Sequence, residues 1–379
     1  MRRRVMLVIG AAAVCVTAAI ALSASPFKPP TSLSASGSDK RVTLAWSASG
    51  SSRVTGYRLY RRGTKGKWPS TPLARTRALS YTDRRVVNGS VYAYRVTAVA
   101  GKDESKPSRT ATARAGPAAG PCGRMGKPPA GYDHVVWVVM ENKSYRSIIR
   151  SPNAPYENQL ATQCGSAVNF FAERHPSLPN YIAMTSGSPH GISDDRPPSA
   201  HRLRGPSIFS QLGRGWRALQ ESMPAHCRPT NAGRYAVKHN PTAYYTNIRG
   251  ACASLDVPLR NAPDLSARFT FVTPNLCSDT HNCSVATGDA WLHAFLRKVF
   301  ASAEYRAGST AVFLTWDEDD SSHSNHIPTI VAAPSVVPGS APTARFNHYS
   351  MLRTTEEMLG LGLLGHARSA TSMRSAFGI

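Results

Sequence analysis

The sequence predicts two unlike domains in series: a small all-β immunoglobulin-like sandwich, then an α/β domain with a mostly parallel central sheet flanked by helices. Three observations carry this. Short alternating segments separated by turn residues fill 28–115, as in Val42-Thr43-Leu44-Ala45-Trp46, the mark of half-buried strands. Farther on, continuous apolar runs of strand length at 134–140, 311–316 and 329–333 are accompanied by helix-like stretches at 290–300 and 349–361. Such runs read as parallel strands buried on both faces. Charge then divides the chain: of a net +23, residues 28–117 hold +14, while all 12 histidines lie from His134 onward.

The first element is an export signal over residues 1–24. Arg2, Arg3 and Arg4 precede an apolar core at 5–22, and Ala21-Leu22-Ser23 ends in small residues, the pattern that signal peptidase cleaves. A membrane anchor is the competing reading, since the run approaches the ~20 residues that span a bilayer. Cleavage places the protein outside the cell, secreted or wall-associated. Six cysteines then remain, Cys122, Cys164, Cys227, Cys252, Cys277 and Cys283, and three disulfides are expected in an oxidising compartment. Their pairing stays open, with Cys277–Cys283 the nearest in sequence. The chain holds no CxxC pair, which argues against a zinc ribbon.

Within the sandwich, Gly56-Tyr57-Arg58-Leu59-Tyr60 and Val91-Tyr92-Ala93-Tyr94-Arg95-Val96 alternate, the latter after an Asn88-Gly89 turn. On these residues, Trp46 and the Ser105-Lys106-Pro107-Ser108 stretch, the segment resembles a fibronectin type III domain. The resemblance implies a binding or spacer module without catalysis. Its basic charge favours an anionic partner, an anionic cell-wall polymer or a phospholipid surface, against the plainer reading of a solvated basic face. No nucleic acid is expected. Residues 116–131, rich in Pro, Gly and Ala, read as a linker, leaving 132–379 for the chemistry.

There, two predicted strands run straight into oxygen ligands: the first into Glu141 and Asn142, the second into Asp317 and Glu318. Ligand sites in open α/β sheets form beyond the carboxyl ends of strands, so both pairs are expected in one site for one or more divalent ions. A solvated acidic loop is the alternative. The third element is His175-Pro176-Ser177-Leu178-Pro179, where two prolines restrict a serine's backbone. With no G-x-S-x-G elbow in this segment, the serine needs another activator, and a metal ion beside it would serve. A helix N-cap is the alternative reading of Ser177.

Taken together, Glu141-Asn142-Lys143-Ser144-Tyr145, His175-Pro176-Ser177-Leu178-Pro179-Asn180-Tyr181, Pro274-Asn275-Leu276-Cys277, Thr287-Gly288-Asp289-Ala290-Trp291, Thr315-Trp316-Asp317-Glu318 and Phe346-Asn347-His348-Tyr349 resemble the secreted phosphoesterases. That family comprises acid phosphatases and bacterial phospholipases C, related to alkaline phosphatases. The resemblance implies an alkaline-phosphatase-like fold, metal ligation by Glu141, Asn142, Asp317 and Glu318 with Ser177, and Ser177 as nucleophile through a phosphoserine. It further implies His239 and His281 as catalytic histidines, and Asn180, His175 and His326 as substrate contacts. Thr-Trp-Asp-Glu-Asp and the short domain point to the acid phosphatase branch, hydrolysing phosphate monoesters. A phospholipase C-type phosphodiesterase is the alternative, and a wall-binding protein with a vestigial catalytic domain is a third reading from another class.

Overall fold

The computed structural model describes residues 27–38, 40–115 and 120–379, so the export signal lies outside the described residues. The chain divides into two compact units, Met1–Ala118 and Ala119–Ile379, each described by itself. Among the described residues no helix is long and apolar enough to cross a membrane.

The first unit is all β. Strands Thr31–Ser38, Arg41–Ser47 and Ser80–Asp83 make one antiparallel sheet. Ala74–Thr76, Gly56–Gly63, Val91–Ala100 and Asp103–Glu104 make the second, with Ala111–Arg114 also paired to Val91–Ala100. Val42, Leu44 and Trp46 point inward at alternate positions, as a pleated strand with one buried face requires. Trp46 packs edge-on to Tyr57, ring centroids 5.6 Å apart. Arg58 pairs in register with Arg75, and Tyr60 with Arg95, while Glu104 forms an ion pair with Arg58 at 2.5 Å.

A seven-stranded mixed sheet organises the second unit, in the order Gly165–Ser166, Thr329–Ala332, Thr310–Trp316, His134–Met140, Phe269–Thr273, Trp216–Gln220, Asp256–Pro258. Every residue from Val135 to Met140 and from Thr310 to Trp316 is buried, which accounts for the absence of alternation in their sequence. One expectation is corrected. Thr329–Ala332 runs antiparallel to Thr310–Trp316, because the connection from 317 to 328 contains no helix and a parallel return needs a longer crossover.

The long helices are Val285–Ala301 and His348–Leu359, matching the helix-like stretches, and a buried helix, Ser177–Ser186. Asn347 opens the second with a capping box that includes Ser350. The buried helix ends at Gly187, φ 75°, where a Cβ would lie 2.4 Å from the Leu364 carbonyl oxygen, so only glycine fits. Three disulfides, Cys122–Cys164, Cys227–Cys252 and Cys277–Cys283, staple this unit. Residues 120–131, read as linker from their composition, begin with that first staple and with Gly123 N–H donating to the Val336 carbonyl.

Candidate active site

The two central strands are in register, Trp316 opposite Met140, so the residues that follow them emerge side by side. Asp317 N–H donates to the Met140 carbonyl at 3.0 Å, and Asn142 N–H to Asp317 Oδ1 at 3.1 Å. Asn142 sits at φ 53°, a left-handed position that asparagine tolerates. The sheet itself therefore brings Glu141, Asn142, Asp317 and Glu318 together from opposite ends of the domain.

Ser177 is the first residue of the Ser177–Ser186 helix, with Pro176 at the cap position and no side-chain cap bond. Its hydroxyl is turned elsewhere: Oγ donates to Glu141 Oε2 at 3.1 Å and lies 3.3 Å from Glu318 Oε1. One turn along the same helix, Tyr181 donates to Glu141 Oε1 at 2.5 Å. Glu318 Oε2 is 2.6 Å from Nδ1 of His175, whose side chain is 41% exposed. On the other flank Lys238 Nζ reaches within 3.4 Å of Ser177 Oγ while paired to Asp195 at 2.8 Å.

His239 completes a second group around Glu141. Its Nε2 is 3.2 Å from Glu141 Oε1 and its Nδ1 3.5 Å from Asp279 Oδ2. Ligand atoms of Glu141, His239 and His281 lie within 4.8 Å of one another. A second such trio, Cys227, Cys252 and Asp256, has its sulfurs in a disulfide and offers no thiolate.

This is an electrostatically unbalanced cluster. Burial, then the Asp317 and Asp279 charges, pushes Glu141 well above the ordinary carboxylate range. Burial likewise raises Asp279, Asp317 and Glu318. Burial and then Lys238 push His239 down, which favours the neutral imidazole, the form that ligates metal. For Lys238, burial alone would lower the ammonium, but Asp195 and Glu141 hold it above its usual value. Asp317 Oδ2 is buried without a hydrogen-bond partner. The Asn142 amide faces Glu141 and Glu318 oxygens, which it could serve as donor only if turned nitrogen-first, at 3.3 and 3.1 Å. Crowded oxygens, a neutral imidazole and an orphaned carboxylate oxygen fit a divalent cation well.

Two expected contacts lie elsewhere. Asn180 is fully buried, with Oδ1 accepting from the backbone of Glu173 and Arg174, and Nδ2 donating to the Arg174 and Pro176 carbonyls. It shapes the loop before Ser177 and has no group left for substrate. His326 is stacked between Tyr145 and Phe171, with Nε2 on the Val168 carbonyl, a packing role. Asp279, Tyr181, Lys238 and Asp195 are the site residues that sequence reasoning missed. Asp279, two positions before His281, and Lys238, beside His239, stood next to residues already singled out.

Residues 148–362 match the phosphoesterase family, and residues 28–114 match the fibronectin type III domain. The chain is 35% identical over 259 residues to the phosphatidylinositol-3-phosphatase of Mycobacterium tuberculosis, covering 65% of this chain and 83% of that protein. It is 26% identical over 257 residues to an acid phosphatase of Aspergillus fumigatus, covering 61% of this chain and 55% of the fungal protein. A fibronectin type III-like protein from Clostridium thermocellum is 28% identical over 25% of this chain and 97% of its own, with a TM-score of 0.22.

Proposed function

Because the chain belongs to the phosphoesterase family, we propose that it is an exported, metal-dependent phosphomonoesterase of the acid phosphatase kind, working through a phosphoserine at Ser177. The observation that carries this reading is the placement of Ser177 Oγ between two buried carboxylates and an ammonium. A serine hydroxyl serving only to cap its helix would bond to a backbone N–H.

Glu141, Asn142, Asp317 and Glu318 would hold one divalent ion, and Glu141, Asp279 and His239 offer ligands for a second. Bound there, the ions would supply Lewis acidity that activates the nucleophile and polarises the phosphoryl group. The chain's own residues then handle the protons. The Ser177 hydroxyl proton passes to Glu318 Oε1, and His175 on Glu318 Oε2 connects that carboxylate to solvent. As the Oγ–P bond forms, the bond from phosphorus to the alcohol oxygen breaks, and its electron pair leaves on that oxygen. His281 protonates the departing alcohol. Water then attacks the phosphoserine, giving its proton back to His281, and Ser177 recovers its own from Glu318 as phosphate leaves. His239, buried and with its neutral form favoured, is a ligand and not the acid.

The three disulfides support export, and the net +14 of residues 28–117 supports attachment to an anionic wall polymer or phospholipid surface. The test is a panel of phosphate monoesters and a phosphatidylcholine diester, assayed before and after chelation and with metals added back. Monoester turnover that needs metal and is lost in Ser177→Ala is expected. Turnover of the diester alone would favour the phospholipase reading, and turnover of neither would leave a binding protein.

A further inference from the structure

We propose that Lys238, aimed by Asp195, is the cationic arm that holds the phosphoryl group against Ser177, and that the cavity beyond it receives a small ring-bearing alcohol. This rests on the phosphomonoesterase reading and gives it a substrate class.

Ser177 Oγ has anions on one side and one ammonium on the other: Glu141 and Glu318 at 3.1 and 3.3 Å, and Lys238 Nζ at 3.4 Å. A phosphoryl group at Oγ carries negative oxygens, and those directed away from the carboxylate cluster meet Lys238. The lysine is fixed in direction. Asp195 Oδ2 accepts from Nζ at 2.8 Å, while its Oδ1 accepts from the Leu178 N–H at 2.9 Å, so one carboxylate ties the ammonium to the backbone just after the nucleophile. The side chains of Lys238 and Asp195 remain 21% and 30% exposed, open to a ligand. Preorganised charge of this kind is what lowers the cost of phosphoryl transfer.

Lys238 and His281 also line a cavity of about 240 Å³, together with Asp195, Asn231, Tyr235 and Asn282. The group that binds the phosphoryl oxygens and the group that protonates the alcohol thus face the same space. A benzene-sized cavity is ~150 Å³, so the volume admits one ring or a short polyol and excludes a diacylglycerol. Leu276 and Ala236 also line it, so the wall is mixed and suits a compact ring with polar edges.

The test uses the full chain loaded with metal. Wild type, Lys238→Met, Lys238→Arg and Asp195→Asn are compared for metal content, thermal midpoint, inhibition by inorganic phosphate, and kcat/KM on an aryl phosphate. Lys238→Met is expected to lose at least ~10²-fold in kcat/KM, the cost of removing one preorganised donor, and to bind phosphate correspondingly more weakly at unchanged metal content. Lys238→Arg should recover part of both, and Asp195→Asn should fall between. A folded Lys238→Met with wild-type phosphate inhibition overturns the arm. For the cavity, the aryl phosphate should exceed a diacylglycerol phosphate by at least about 10-fold in wild-type kcat/KM, roughly 1.4 kcal/mol, and parity or inversion overturns it. A wild-type enzyme that turns over no monoester and binds no phosphate sinks the underlying reading instead, which is a separate result.

Discussion

Tyr181 donates its phenolic proton to Glu141 Oε1 at 2.5 Å, from the same helix that begins with Ser177. One helix therefore carries the nucleophile and the residue that orients the carboxylate facing it. Both side chains point to the same end of the central strand because they lie four positions apart, about one turn. Removing that hydroxyl should loosen Glu141 without unfolding a helix whose ten residues are all buried. Tyr181→Phe is expected to weaken metal binding and activity about 10–100-fold, the usual cost of losing a partner behind a ligand. Metal titration of the folded variant checks it, and wild-type affinity would remove Tyr181 from the account.

Asn180, one residue away, acts on the backbone alone. Its amide makes four bonds to residues 173, 174 and 176. Asn180→Ala should cost about 1–3 kcal/mol, the penalty for stranding buried partners, seen as a lower thermal midpoint. The kcat should fall with it while phosphate inhibition holds. Weakened phosphate inhibition at unchanged stability would return Asn180 to the substrate.

The Cys277–Cys283 bridge closes the loop that carries Asp279 and His281, and the Asp279 carbonyl accepts the Glu141 N–H at 2.9 Å. Replacing both cysteines by serine should cost roughly 2 kcal/mol for so short a loop. Activity should drop further than that, since two site residues lose their anchor. Unchanged kcat/KM in the folded double variant would show that the loop holds its shape alone.

Glu157 is buried with both carboxyl oxygens lacking hydrogen-bond partners. Burial, and then the neighbouring Asp289, pushes it up to about 9. A carboxyl whose native value is raised holds its proton more tightly when folded. Its contribution is therefore complete below the unfolded value of ~4.3 and is lost as pH rises toward 9. Glu173 and Asp256, raised by burial to about 7, act in the same direction. The thermal midpoint should fall between pH 5 and 9, and Glu157→Gln should flatten that slope. A variant as steep as wild type would place the titration elsewhere.

Much of this was legible in the chain itself. The apolar runs at 134–140 and 311–316 announced central strands because a strand covered on both faces needs no polar side. Glu141-Asn142 and Asp317-Glu318 announced the site because they stand where such strands end. The antiparallel return of Thr329–Ala332 was not legible, since an apolar strand carries no mark of direction. Nor was the role of Asn180, because a buried amide serving backbone looks the same in sequence as one serving substrate.

By itself the sequence determined the two-domain order, the strand ends that deliver carboxylates and the serine between two prolines. These are local features, set by periodicity and neighbouring residue types. Only the tertiary structure decided that Ser177 faces Glu141 and Glu318, that Asp195 aims Lys238 across 43 positions, and that His239 is buried while His281 borders a cavity. Those outcomes depend on distances between residues far apart in the chain and on burial, and both exist only once the sheet has brought its strand ends together.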